Sequence, residues 1–156
     1  MNVPALSAFA IAAVAAAGPA AAETLRAETS FNTGIQKMAD PQPADGVAVT
    51  YPISYTGDLD GCTAQVAETL YPRDEGAWGL FEVAAEVTCA DGGFAFTSAG
   101  SWDEKGFHGA GRVTEGSGTG SYAGLSGRRL AQSGGSAPAA NDTMDLAVRI
   151  MIDRAP

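Results

Sequence analysis

The chain has 156 residues, with 18 Asp and Glu against 9 Lys and Arg, a single His and a net charge of -9. That length holds one hydrophobic core of useful size, and the acidic balance excludes a nucleic-acid binder or a binder of anionic membrane surfaces, both of which need clustered Lys and Arg. The 20 Gly follow no collagen-like period, so they point to turns and hence to many short strands.

Residues 1–22, MNVPALSAFAIAAVAAAGPAAA, carry no charged side chain. The apolar run from Ala5 to Ala17 is shorter than the roughly 20 residues of a membrane-spanning helix. Gly18 and Pro19 interrupt it, and Ala20 to Ala22 supply the small residues of a cleavage site. The expectation is a secretory signal peptide over 1–22 and a single β-barrel domain over 23–156. The mature protein is then exported, periplasmic or extracellular, with no membrane span. In an oxidising compartment two Cys are more often a disulfide than a metal site.

Beyond residue 23 no stretch keeps helical periodicity over three turns, whereas alternation of apolar and polar residues recurs. Strands are expected near 24–31, 47–57, 62–71, 78–90, 93–102, 107–115, 127–133 and 143–152. Eight strands joined mostly by tight turns suggest a closed antiparallel barrel or a sandwich. Register can be tested on the hairpin around Pro72–Gly76. Setting Cys62 opposite Cys89 also sets Ala64 opposite Val87, Val66 opposite Ala85, Glu68 opposite Val83 and Leu70 opposite Phe81. The alignment that sorts apolar from polar residues thus brings the two Cys together, which predicts a Cys62–Cys89 disulfide. Extending the same test places Val49, Tyr51, Ile53 and Tyr55 inside, with Tyr51 opposite Glu68. It also turns Phe94, Phe96, Ser98, Gly100 and Trp102 inward, with Val87 opposite Phe96, then Phe107, Gly109, Gly111 and Val113. Leu25, Ala27, Thr29 and Phe31 join from the first strand, and Met144, Leu146, Val148, Ile150 and Ile152 from the last. Two loops, 32–46 and 134–142, are expected to edge a barrel mouth, to act as a lid or to lie on the surface.

The segments YTGDLDGCTAQVAETLYP (Tyr55–Pro72), SAGSWDEKGFHGAGRVT (Ser98–Thr114) and EGSGTGSYAGLSG (Glu115–Gly127) resemble a bacterial domain-of-unknown-function family that shares the allene oxide cyclase-like barrel. The resemblance spans about Tyr55 to Leu130, and the Gly-rich run from Gly116 to Gly127 is its most specific part. It implies an eight-stranded antiparallel calycin-like barrel with an apolar lumen, and no known activity for the bacterial members. The plant cyclase turns a fatty-acid epoxide into a cyclopentenone largely by folding it in the pocket. None of its catalytic positions is matched here, so none is carried over. Read physically, the Gly-rich run is a turn whose Tyr122 and Leu125 dip into the core. It lacks the Lys-Ser/Thr of a phosphate loop and the third glycine of a dinucleotide fingerprint.

The candidate for chemistry is Glu68, set between Val66 and Leu70 on an apolar face. A carboxyl in a low-dielectric lumen has a raised pKa and can act as acid or base, with Tyr51 as its partner. Gly100, Gly109, Gly111 and Ser98 lack bulk and are expected to leave space beside it. Tyr51, Tyr55, Glu68, Phe96, Ser98 and Trp102 then form the expected ligand-binding set. The plainer reading is a buried Glu hydrogen-bonded to Tyr. No cofactor or metal is expected. Asp58 and Asp60 resemble a fragment of a calcium loop, but Thr69 stands where the bidentate Glu would be. His108 alternates outward with Arg112, so no Ser-His-Asp triad is available elsewhere. Three functions stay open: a barrel binding a small apolar or amphipathic molecule, a filled structural or interaction barrel, and a lipid-type isomerase or cyclase using Glu68 and Tyr51.

Overall fold

A computed structural model describes residues 24–154; the expected signal peptide lies outside the described residues. They form a single curled antiparallel sheet of eleven strands, where eight were expected. The strands are β1 (Thr24–Asn32), β2 (Lys37–Met38), β3 (Val47–Ser54), β4 (Thr56–Gly57), β5 (Thr63–Arg73), β6 (Trp78–Cys89), β7 (Gly92–Asp103), β8 (Gly106–Val113), β9 (Thr119–Gly120), β10 (Arg129–Pro138) and β11 (Met144–Asp153). The surplus is β2 and β9, two residues each, and a break at Tyr55 that divides the expected strand 47–57 into β3 and the two-residue β4. Among the described residues no helix is long and apolar enough to cross a membrane.

Alternation of side chains dictates the inner face. Along β6, buried Gly79, Phe81, Val83, Ala85 and Val87 alternate with exposed Trp78, Leu80, Glu82, Ala84, Glu86 and Thr88. Each large apolar side chain so buried is worth about 1.5–3 kcal/mol. The β5–β6 register is the one expected, Ala64 opposite Val87 through Leu70 opposite Phe81, and Cys62 and Cys89 form a disulfide with their Cα atoms 4.4 Å apart.

Two registers differ from expectation by two residues, which leaves the faces unchanged because the side-chain period is two. In β6–β7, Val87 faces Phe94 rather than Phe96, and Phe81 faces Gly100. The cause is β9, whose Thr119 and Gly120 pair with Gly93 and Gly92. This holds both glycines in the ladder and confines the turn to Ala90–Asp91. In β3–β5, Tyr51 faces Val66, and Val49 faces Glu68. Here Thr56 and Gly57 leave the hairpin to pair with Glu28 and Ala27 of β1. Gly57, at φ +79°, permits that approach, since a Cβ there would lie 2.8 Å from the Arg26 carbonyl oxygen.

The expected loop over 134–142 shortens. β10 continues through Pro138, opposite Met144. A tight turn follows in which Asn141 and Asp142 take the left-handed conformation, one that short polar side chains tolerate. The other loop is tethered: Gln42 accepts from the Ala48 N–H at 2.7 Å and donates to its carbonyl at 2.8 Å, standing in for a strand partner.

The core is concentrated at one end. Leu25, Leu59, Val113, Ile150 and Ile152 are essentially inaccessible. The Gly-rich run closes that end, with Leu125 buried and the Tyr122 ring 5.6 Å from Phe94. At the other end lie the 33–46 loop and the turns 74–77, 104–105 and 139–143, and there the interior is not filled.

Candidate functional site

The unfilled end holds a cavity of about 500 Å³. Each of the eight longer strands sends one or more side chains into it: Phe31 from β1, Tyr51 from β3, Glu68 and Leu70 from β5, Phe81 from β6, Trp102 from β7, Phe107 from β8, Gln132 from β10, and Leu146 and Val148 from β11. Thr33, Gln36, Ala77, Asp103, Glu104 and Pro138 line it from the loops and strand ends around the mouth. The aromatic walls are locked together. Phe31 stacks on Tyr51 at 4.8 Å, and Phe81 meets Phe107 edge to face at 6.1 Å, arrangements worth roughly 0.5–1.5 kcal/mol beyond burial. Gly79 leaves room for the indole of Trp102, which a Cβ there would strike.

Tyr51 and Glu68 meet as diagonal rather than direct cross-strand neighbours, a spacing long side chains bridge. The Tyr51 hydroxyl donates to Glu68 Oε2 at 2.8 Å. Burial pushes the Glu68 carboxyl above its usual range, and the hydrogen bond from Tyr51 pulls it partway back. Burial, then the charge of Glu68, push the Tyr51 phenol well above its usual value. Tyr51 therefore keeps its proton, and Glu68 is the group able to exchange one.

The expected ligand-binding set divides. Tyr51, Glu68 and Trp102 line the cavity. Ser98 is buried beneath it, donating at 2.8 Å to Gln132, which does line it. Tyr55 and Phe96 are packed in the core and are not among the lining residues, because they point inward on the filled side. The glycines do not leave open space beside Glu68 as expected. The Phe81 ring occupies it, with Cζ 2.7 Å from where a Cβ on Gly100 would be and 2.9 Å from one on Gly109. The lining residues Leu70, Phe81, Phe107 and Gln132 were not singled out, although the period-two pattern does turn the first three inward. The missing signal was which end is open. Turn order held it, since both long loops return to the end opposite the Gly-rich run.

The exposed His108 lies on the outer face. Asp58 Oδ2 accepts from the Arg26 N–H at 2.8 Å, a role in closing β1 against β4. Among the described residues no cluster of three or more His, Cys, Asp or Glu is placed to hold a metal.

Two predictions concern the polar pair. Tyr51→Phe leaves Glu68 buried without its donor, so a loss of about 1–3 kcal/mol is expected in urea denaturation. The Glu68 carboxyl, followed by carbon NMR, should titrate higher still. Glu68→Gln tests linkage. The folded chain holds this proton more tightly than the unfolded one. The stabilisation from the protonated form is therefore complete below the usual value of 4.5 and is lost as pH rises through the raised folded value. The variant should gain on the wild type across that window, and a pH-independent difference would contradict the assignment.

These features define a class: an all-β barrel with one plugged end and one open, apolar cavity of small-molecule size. The chain belongs to the family described as "Protein of unknown function (DUF3224)", whose pattern matches residues 27–141. The crystal structure of the Diels Alderase AbmU from Streptomyces koyangensis is similar at 16% identity and a TM-score of 0.46, over 83% of this chain and 67% of that one. No curated protein matches the chain.

Proposed function

We propose that this protein is an exported binding protein that holds a small apolar or amphipathic molecule in its open-ended lumen. The observation that carries the reading is the cavity of about 500 Å³, lined by Phe31, Leu70, Phe81, Trp102, Phe107 and Val148 around the Tyr51–Glu68 pair. Ligand sites are typically apolar hollows of this size with few polar groups, whereas a filled structural barrel would leave no such space. In this reading the eight longer strands close into a calycin-like barrel of the allene oxide cyclase-like kind. β3 and β4, separated only by Tyr55, act as one bent strand that meets β1. Residues 1–22 are a signal peptide and 23–156 the barrel domain, and the Cys62–Cys89 disulfide fits an oxidising compartment. No cofactor enters the reading. A second reading, a lipid-type isomerase or cyclase, rests on Glu68 as a proton-exchanging group held by Tyr51 inside the cavity.

The test uses Trp102 as reporter. With Trp78→Phe removing the other indole, half exposed on the strand end, a library of apolar and amphipathic molecules is titrated while emission is followed. A saturable shift is expected for a subset, and the organic extract of purified protein should contain a member of that class. No saturable response across the library would overturn binding. Turnover of an unsaturated or epoxide lipid that is lost in Glu68→Gln would favour the second reading.

A further inference from the structure

The charge around the cavity is one-sided. The charged residues lining it are Glu68, Asp103 and Glu104, and no Lys, Arg or His is among the lining residues. The turns and strand ends at the mouth carry Asp40, Asp45, Asp74, Glu75, Asp103, Glu104, Asp142 and Asp145 against Lys37, Arg73 and Lys105. At the plugged end the signs balance among the described residues, with Asp58, Asp60, Asp91, Glu115 and Asp153 against Arg26, Arg112, Arg128, Arg129 and Arg154. The excess negative charge of the strand ends is thus gathered at the opening, where low-dielectric walls focus its field. Inside, Tyr51 engages one oxygen of Glu68, and no described residue donates to the other.

We infer that the cavity takes a lipophilic organic cation: an apolar skeleton bearing an amine or quaternary ammonium group, its charge set against the free Glu68 oxygen and the faces of Tyr51, Phe31 and Trp102. This rests on the reading of the cavity as a ligand site and names the ligand's chemistry. An apolar carboxylate of the same size would surrender its water shell to meet another carboxylate, with no cation in the lining to compensate. A cation gains a buried counter-charge, and desolvated aromatic faces add attraction. A positive group beside Glu68 also favours the ionised carboxyl and offsets the upward push of burial.

The experiment compares three molecules with one skeleton, 4-phenylbutylamine, 4-phenylbutan-1-ol and 4-phenylbutyrate, against the intact disulfide-bonded protein at neutral pH by calorimetry. The amine is expected to bind at least about tenfold more tightly than the alcohol, with the carboxylate weakest. Glu68→Gln should bring the amine-to-alcohol ratio down to about three, the share left to Asp103 and Glu104 at the mouth. Should that variant fold poorly, the exposed pair Asp103→Asn with Glu104→Gln supplies the second arm: the amine alone should weaken, by about threefold, and its affinity should lose part of its salt dependence. An alcohol or carboxylate that binds as tightly as the amine overturns the cation assignment and leaves the ligand-site reading intact. An amine-to-alcohol ratio that survives both sets of substitutions also overturns it. No saturable binding of any of the three, together with no response in the Trp102 titration, overturns both.

Discussion

Replacing Cys62 and Cys89 together by Ala is expected to lower stability by about 3–4 kcal/mol, measured as a shift in the urea midpoint. The bridge spans 27 residues of chain, and in the chain-entropy account a loop of that size restricts the unfolded ensemble by this amount. The loss should show mainly in the midpoint, with a smaller change in the denaturant slope as the unfolded chain loosens. Because the bridge joins the β5–β6 hairpin at the plugged end, with Cys62 3.7 Å from the Tyr122 hydroxyl, the folded variant should bind cavity ligands as the wild type does. A shift under about 1 kcal/mol would mean that the hairpin is already paired in the unfolded chain.

That hairpin shows why much of the fold was legible in the sequence. From Ala64 to Leu70 and from Phe81 to Val87 every second residue is apolar or small except Glu68, so one register satisfied the core and a one-residue slip would have exposed it. Elsewhere the same pattern constrained the face but not the register. Slips of two residues at β3–β5 and β6–β7 were invisible to alternation. They were decided by backbone bonds from Thr56–Gly57 and Thr119–Gly120; the first lies inside the expected strand 47–57 but pairs with β1 instead of continuing the hairpin, and the second has too little apolar content to announce itself as a strand. The site followed the same logic. Glu68 stood out as a carboxylate in an apolar row, and it meets Tyr51 even though the two are not directly opposed, because the diagonal neighbour is also within reach. Tyr55 and Phe96 were indistinguishable in sequence from the lining residues. Alternation says which side of the sheet a residue faces, and only the distribution of turns says whether that depth is filled.

Phe81 sets the floor of the cavity, and its removal should couple to the glycines beneath it. Phe81→Ala is expected to cost about 3–5 kcal/mol, since the ring is almost wholly buried. Gly109→Ala in the wild type should cost about 1–3 kcal/mol by overpacking, since its new methyl meets Phe81 Cζ at 2.9 Å and Cε2 at 3.1 Å, with the Ala99 carbonyl oxygen at 3.1 Å. In the Phe81→Ala background two of those three obstacles are gone. The same methyl should then be neutral or stabilising, refilling part of the void and relieving the strand of a glycine. A double-mutant cycle should therefore show a coupling of at least about 1 kcal/mol. Gly100→Ala supplies the contrast. Its methyl would strike the His108 carbonyl and the Gly109 Cα at 2.6 Å as well as the ring, so removing Phe81 should rescue it much less. Equal rescue at both positions would show that the ring does not rest on these glycines. A cavity deepened by Phe81→Ala should also admit ligands longer by about a ring than those the wild type accepts.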